Sequence, residues 1–181
     1  MKFKSTFLIA GMMIAASTTA NAQLVINELM QSNVEYMMDD IKEFPDSWVE
    51  LYNKGTEAVN LKDYKISNKN KPKKAWQLPD MTVEPNGFVV IFCDKEGKED
   101  NRLHADFRLE SGKDGNLYLF KDGDDNPIDM LEGMAKMPAP DVAYGRKTDG
   151  GDEWGYQLTP SAGKPNTGDI CDAKHILGAP I

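Results

Sequence analysis

Residues 46–53, Asp-Ser-Trp-Val-Glu-Leu-Tyr-Asn, carry a two-residue alternation that an extended strand uses and a helix does not. Val49 and Leu51 point to one face, and Trp48, Glu50 and Tyr52 to the other. Asn53-Lys54-Gly55 then supplies a turn. Further turn residues follow at Asn68-Lys69-Asn70, Pro85-Asn86-Gly87, Lys95-Glu96-Gly97, Lys113-Asp114-Gly115 and Asp122-Gly123. Between them lie short runs rich in Val, Ile, Leu, Tyr, Phe and Trp. Such punctuation, with almost no helical periodicity, predicts an all-β sandwich or barrel.

The runs predict strands over 24–29, 47–52, 63–67, 74–78, 87–93, 104–109, 116–121, 127–131 and 142–145. Phe88 to Cys93 is apolar on both faces, as a central strand covered from above and below would be. Residues 116–131 read as a hairpin around the polar loop Asp122-Gly123-Asp124-Asp125-Asn126. Residues 31–46 do not alternate. They form a long connection with room for a helical turn or two before Pro45, and offer Met37, Met38, Ile41 and Phe44 to pack downward.

Residues 1–22 read as a removable leader: Lys2 and Lys4, an apolar stretch from Phe7 to Ala16, and the small-residue site Ala20-Asn21-Ala22. The apolar stretch is too short for a membrane span, which needs roughly 20 residues. The expected mature chain starts at Gln23, is exported to the periplasm or the extracellular space, and has no membrane span. Residues 23–166 form one domain, and 167–181 form a tail or a shortened linker. Removing Lys2 and Lys4 from 21 basic groups leaves 19 against 29 acidic, a net charge of −10. That balance favours solubility and disfavours nucleic acid or anionic membranes as partners.

Two cysteines remain. Cys93 and Cys171 permit a disulfide in an exported protein; the alternative is a buried strand cysteine and a free tail cysteine. No GxSxG, CxxC, HExxH or phosphate-binding loop occurs, and neither His104 nor His175 sits in a catalytic motif. No catalytic residue and no cofactor is expected. Asp122, Asp124 and Asp125 offer hard oxygen ligands of the kind calcium takes. However, Pro127 stands where an EF-hand loop needs Gly, and Gly133 where it needs Glu, so a hairpin turn explains the same residues. Asp39, Asp40, Glu43 and Asp46 form a second acidic group. Lys69, Lys71, Lys73 and Lys74 form a basic loop beside Trp76. Trp48, Trp76, Trp154 and Tyr156 are the aromatics that would stack on a saccharide if exposed.

An ordered series of segments runs through the chain: VINELM at 25–30, DSWVELYN at 46–53, LKDYKIS at 61–67, AWQLPD at 75–80, PNGFVVIF at 85–92, LHADFRL at 103–109, LYLFKDGDDNPIDML at 117–131, VAYGR at 142–146 and LTPSAGKPN at 158–166. Together they resemble the lamin tail domain, the module of nuclear lamins that also occurs in secreted bacterial proteins beside other domains, including spore-coat-kinase-like ones. The resemblance implies an immunoglobulin-like β-sandwich of mostly antiparallel strands, with Val49, Leu51, Ile66, Leu78, Val89, Ile91, Leu117 and Leu119 in its core. It carries over no catalytic residues. Glu28, Glu50 and Arg146 match its polar positions and are expected to hydrogen-bond within the fold, because a charge near a packed strand needs a partner.

The function expected is that of an exported, non-catalytic interaction or adhesion module for a cell-surface protein or polysaccharide. The alternative is an accessory domain of a larger exported enzyme or kinase-like protein. An autonomous hydrolase using paired carboxylates is the third reading.

Overall fold

A computed structural model describes residues 22–99, 101–112 and 115–178. The expected leader lies outside these residues except for Ala22. The described chain is an immunoglobulin-like β-sandwich of mostly antiparallel strands. Its strands are β1 (Leu24–Met30), β2 (Trp48–Asn53), β3 (Val59–Asn60), β4 (Tyr64–Ser67), β5 (Trp76–Gln77), β6 (Thr82–Val83), β7 (Phe88–Cys93), β8 (Lys98–Glu99), β9 (Leu103–Ala105), β10 (Leu117–Lys121), β11 (Pro127–Leu131), β12 (Ala143–Arg146) and β13 (Trp154–Gln157), followed by the one-turn helix α1 (Ala173–Ile176). The larger sheet runs β13-β12-β1-β2-β7-β9-β8, the smaller β11-β10-β4-β5, and β3 pairs with β6. The β7–β9 pair is parallel.

The main core forms between the two larger sheets. Val49 and Leu51 sit opposite Ile91 and Val89 across β2–β7, and opposite Leu29 and Ile26 across β1–β2. Ile66, Leu78, Leu117 and Leu119 meet them from the other side, and Val89 packs at the margin. Each fully buried aliphatic side chain contributes about 1.5–3 kcal/mol, which offsets the ordering of the strands. Asn53 closes β2: its Oδ1 accepts from Gly55 N at 3.0 Å, and its Nδ2 donates to Glu57 O and Val83 O. The next turn needs Asn86 at φ 61° and a bare Gly87, where a Cβ would lie 2.8 Å from Glu84 O.

All six positions of β2 are buried, so the strand is covered on both faces. A second, smaller core of Met30, Trp48, Phe92 and Ala143 lies behind the large sheet, with Tyr36, Met37 and Ala162 packed against it. Residues 31–46 make no helix. Met37 packs down as expected, but Met38, Ile41 and Phe44 do not. They are 47, 64 and 37 % exposed, because hydrogen bonds to Asn33, Asp39 and Asp141 hold the loop in an irregular path.

Strands β3, β6, β8 and β13 have no counterpart in the alternation. The run at 104–109 is strand only to Ala105, with a single bridge from Arg108 to Asp94. The tail is tied back by its backbone: Tyr156 and Cys171 exchange N–H···O bonds of 3.0 and 2.9 Å along the outer edge of β13. Cys93 and Cys171 are both free. Four strand spacings separate β7 from β13, roughly 19 Å, so the disulfide that the even count permitted does not form. No helix among the described residues is long and apolar enough to cross a membrane.

Candidate functional site

Two of the polar motif positions, Glu28 and Glu50, converge behind the large sheet. A register shift between Ile26 and Glu28 inserts Asn27 as a bulge, which leaves Glu28 directly opposite Glu50 on β2. Both carboxylates are fully buried. Glu28 accepts from Ser161 N at 3.0 Å and Ser161 Oγ at 2.7 Å. Glu50 accepts from Asn27 Nδ2 at 2.9 Å and Gly163 N at 2.5 Å. Asp149 accepts from Asn27 Nδ2 and from Asn166 N, both at 3.0 Å. Loss of solvent raises the pKa of both glutamates, that of Glu50 to about 8, against the opposing effect of these donors.

Arg146 joins the two sheets. Its Nε donates to Ile26 O at 2.7 Å, and one terminal nitrogen to Asp129 Oδ2 at 2.9 Å; the other donates to Gly151 O. The guanidinium lies 4.7 Å over the Trp154 ring. Asp129 Oδ2 also accepts from Ile26 N at 2.8 Å, within the bulged stretch of β1. These groups bond to one another and to the backbone, so the network clamps residues 158–166 over the sheet. Asn27 and Asn166 stood in the segments VINELM and LTPSAGKPN, but only proximity in the fold reveals what they bind.

The exposed face beside this clamp is the 31–46 loop. Asn33 anchors it through Nδ2 to Met37 O and Pro45 O, while Asn33 Oδ1 accepts from Met37 N. Asp141 Oδ1 accepts from Val34 N at 2.8 Å and Glu35 N at 3.1 Å. Tyr36 stacks on Trp48 at 6.0 Å and donates through its hydroxyl to Pro160 O. With the backbone fixed in this way, Val34, Met38, Ile41 and Phe44 are presented to solvent. Asp39, Glu43 and Asp46 of the loop line a cleft of about 170 Å³ with Asp94, Glu96 and Arg108. Two exposed ion pairs, Arg108 with Asp46 at 2.8 Å and Arg102 with Asp40 at 3.3 Å, flank it.

The aromatic candidates are not exposed on this face. Trp48 is wholly buried and cannot serve a ligand surface. Trp76 is partly buried against the main core. Trp154 and Tyr156 are also partly buried and pack on Tyr144, with ring centroids 5.4 and 5.2 Å away. Asp122 is ion-paired with Lys65 at 2.6 Å, which lowers its carboxyl pKa. Asp124 belongs to the hairpin turn through its N–H to Lys121 O. The metal-type donors that do converge among the described residues are Asp94, Glu96 and His104.

The lamin tail domain model matches residues 17–133. That span takes in β1 to β11 and ends before β12, β13 and the 158–166 clamp. No curated protein matches the chain. With well over half of its length matched, and the immunoglobulin-like sandwich in place, the chain belongs to the lamin tail domain family, whose immunoglobulin-like modules are non-catalytic.

Proposed function

We propose that this chain is an exported interaction module that binds a cell-surface protein through its 31–46 loop. The observation that carries this reading is the outward presentation of Val34, Met38, Ile41 and Phe44 on a loop whose backbone is fixed at both ends. Exposed apolar side chains on a rigid frame are what a protein interface uses as anchors, since little ordering entropy is left to lose on binding. The surrounding carboxylates add electrostatic selectivity for a partner with basic groups at its rim. The same observation sets protein ahead of polysaccharide, because no described Trp is among the exposed large hydrophobic side chains. Export rests on the leader-like residues 1–22.

The test is a combined protein and glycan array probed with the purified chain and with an Ile41→Asp, Phe44→Asp double variant. Protein ligands bound by the parent and lost by the variant support the reading. Binding that survives the double substitution, or ligands drawn from the glycans alone, would overturn it.

A further inference from the structure

We propose that Asp94, Glu96 and His104 form a binding site for a divalent ion of the zinc class, open to the cleft beside the 31–46 loop. Asp94 follows the last residue of β7, Glu96 lies two residues on in the turn, and His104 is on β9, the parallel neighbour of β7. Their ligand atoms all lie within 4.8 Å of one another. The closest pair, His104 Nδ1 and Asp94 Oδ2, is 2.5 Å apart.

Tetrahedral coordination at zinc bond lengths places donor atoms ~3.4 Å apart. The His104–Asp94 pair lies below that value and no pair exceeds 4.8 Å, so rotation of the acidic side chains closes the set. The ion takes the place of the direct contact between His104 Nδ1 and Asp94 Oδ2. One neutral imidazole and two carboxylates also balance a 2+ charge, which calcium or magnesium would meet with oxygen alone.

The surroundings suit a bound ion. His104 is 2 % exposed, and its ring packs 5.3 Å from that of Phe92, so its orientation is set before the ion arrives. Asp94 Oδ1 accepts from Glu96 N at 3.1 Å, which orients the first carboxylate from behind. Asp94 and Glu96 line the cleft, which leaves room for water or a partner's side chain at the remaining position. Arg108 and Lys98 bear on the two carboxylates and the cleft they line. Arg108 is occupied by Asp46. Lys98 Nζ holds Glu96 Oε2 at 2.5 Å and is the group the ion displaces.

Zinc sulfate titrated into the purified chain, read by calorimetry and by competition with a chromophoric chelator, tests the site. One ion per chain is expected, with the His104 ring resonances shifting and those of His175 unmoved. Glu96→Gln alters an exposed side chain, so the fold should hold, as an unchanged melting curve would verify. It should weaken binding by at least about tenfold. Lys98→Met removes the competing cation and should tighten binding. The proposal fails if zinc does not bind, if Glu96→Gln binds as tightly as the parent, if His175 responds instead, or if calcium binds as well as zinc. None of these readouts depends on the loop's protein partner.

Discussion

Glu28 and Glu50 face each other across β1 and β2, both removed from solvent, each held by an N–H group of the same C-terminal segment. Burial is the main cause of the upward shift of Glu50, and the nearby Glu28 carboxylate adds to it. The pair therefore retains a proton at neutral pH and couples protonation to the seating of residues 161–163.

That coupling has a sign. The folded-state pKa of Glu50, about 8, lies above the ordinary carboxyl value of 4.5. Between these values the folded chain binds a proton that the unfolded chain does not, so stability falls as pH rises through that window. The slope approaches about 1.4 kcal/mol per pH unit for one proton. Urea midpoints measured from pH 5.5 to 8.5 should decline, and Glu50→Gln should flatten the decline whatever its absolute effect. Equal midpoints across that range in the parent chain would refute the coupling.

Arg146 is the second structural centre. Replacing it by Ala strips a buried partner from Asp129 and leaves Ile26 O without its side-chain donor. The expected cost is about 3–5 kcal/mol in chemical denaturation. Arg146→Lys should recover less than half of that, because one ammonium nitrogen cannot span the three acceptors that three guanidinium nitrogens reach, nor lie flat on Trp154. A lysine variant as stable as the parent would show that only the charge matters.

Stability and surface roles separate along the 31–46 loop. Ile41→Asp and Phe44→Asp alter exposed side chains and should each change stability by no more than about 0.5 kcal/mol. Trp48→Ala, under the same loop, should cost about 3–5 kcal/mol. Thermal melts of the three variants check the contrast, and a large loss from the Ile41 or Phe44 change would mean that the loop packs inward.

The two thiols should differ in access while sharing an upward-shifted pKa that burial imposes on both. Cys93 is fully enclosed and Cys171 partly exposed. Alkylation of the folded chain at pH 8 should modify Cys171 slowly and Cys93 only after denaturant is added. The intact mass should be the same with and without reductant; a lower mass under non-reducing conditions would reveal a bridge.

Much of the sandwich was legible because strand side chains alternate and turns need particular residues. DSWVELYN showed the core face of β2 directly, and NLYLFK with its acidic loop showed the β10–β11 hairpin. Strand β13 was not legible: WGYQ is short, and its Gly155 lies under Ile170 of the tail, a contact that local pattern cannot encode. The metal-type triad was hidden for a related reason. Asp94 and Glu96 are near in sequence, but His104 joins them through the parallel β7–β9 pairing, which no spacing motif announces.

The loop at 31–46 misled in the opposite sense. Its apolar residues resembled core because hydrophobicity says what gains by burial, and says nothing of whether the backbone can turn that residue inward. The amino-acid sequence by itself determined the all-β class and the core face of β2, and its resemblance to the family marked the polar positions Glu28, Glu50 and Arg146. Only the tertiary structure decided which groups those three would meet, which side of β2 would be covered, and which of Met37, Met38, Ile41 and Phe44 would face solvent. Alternation is a local property of a strand, whereas Glu28, Glu50 and Arg146 each take a partner from a segment more than a hundred residues away.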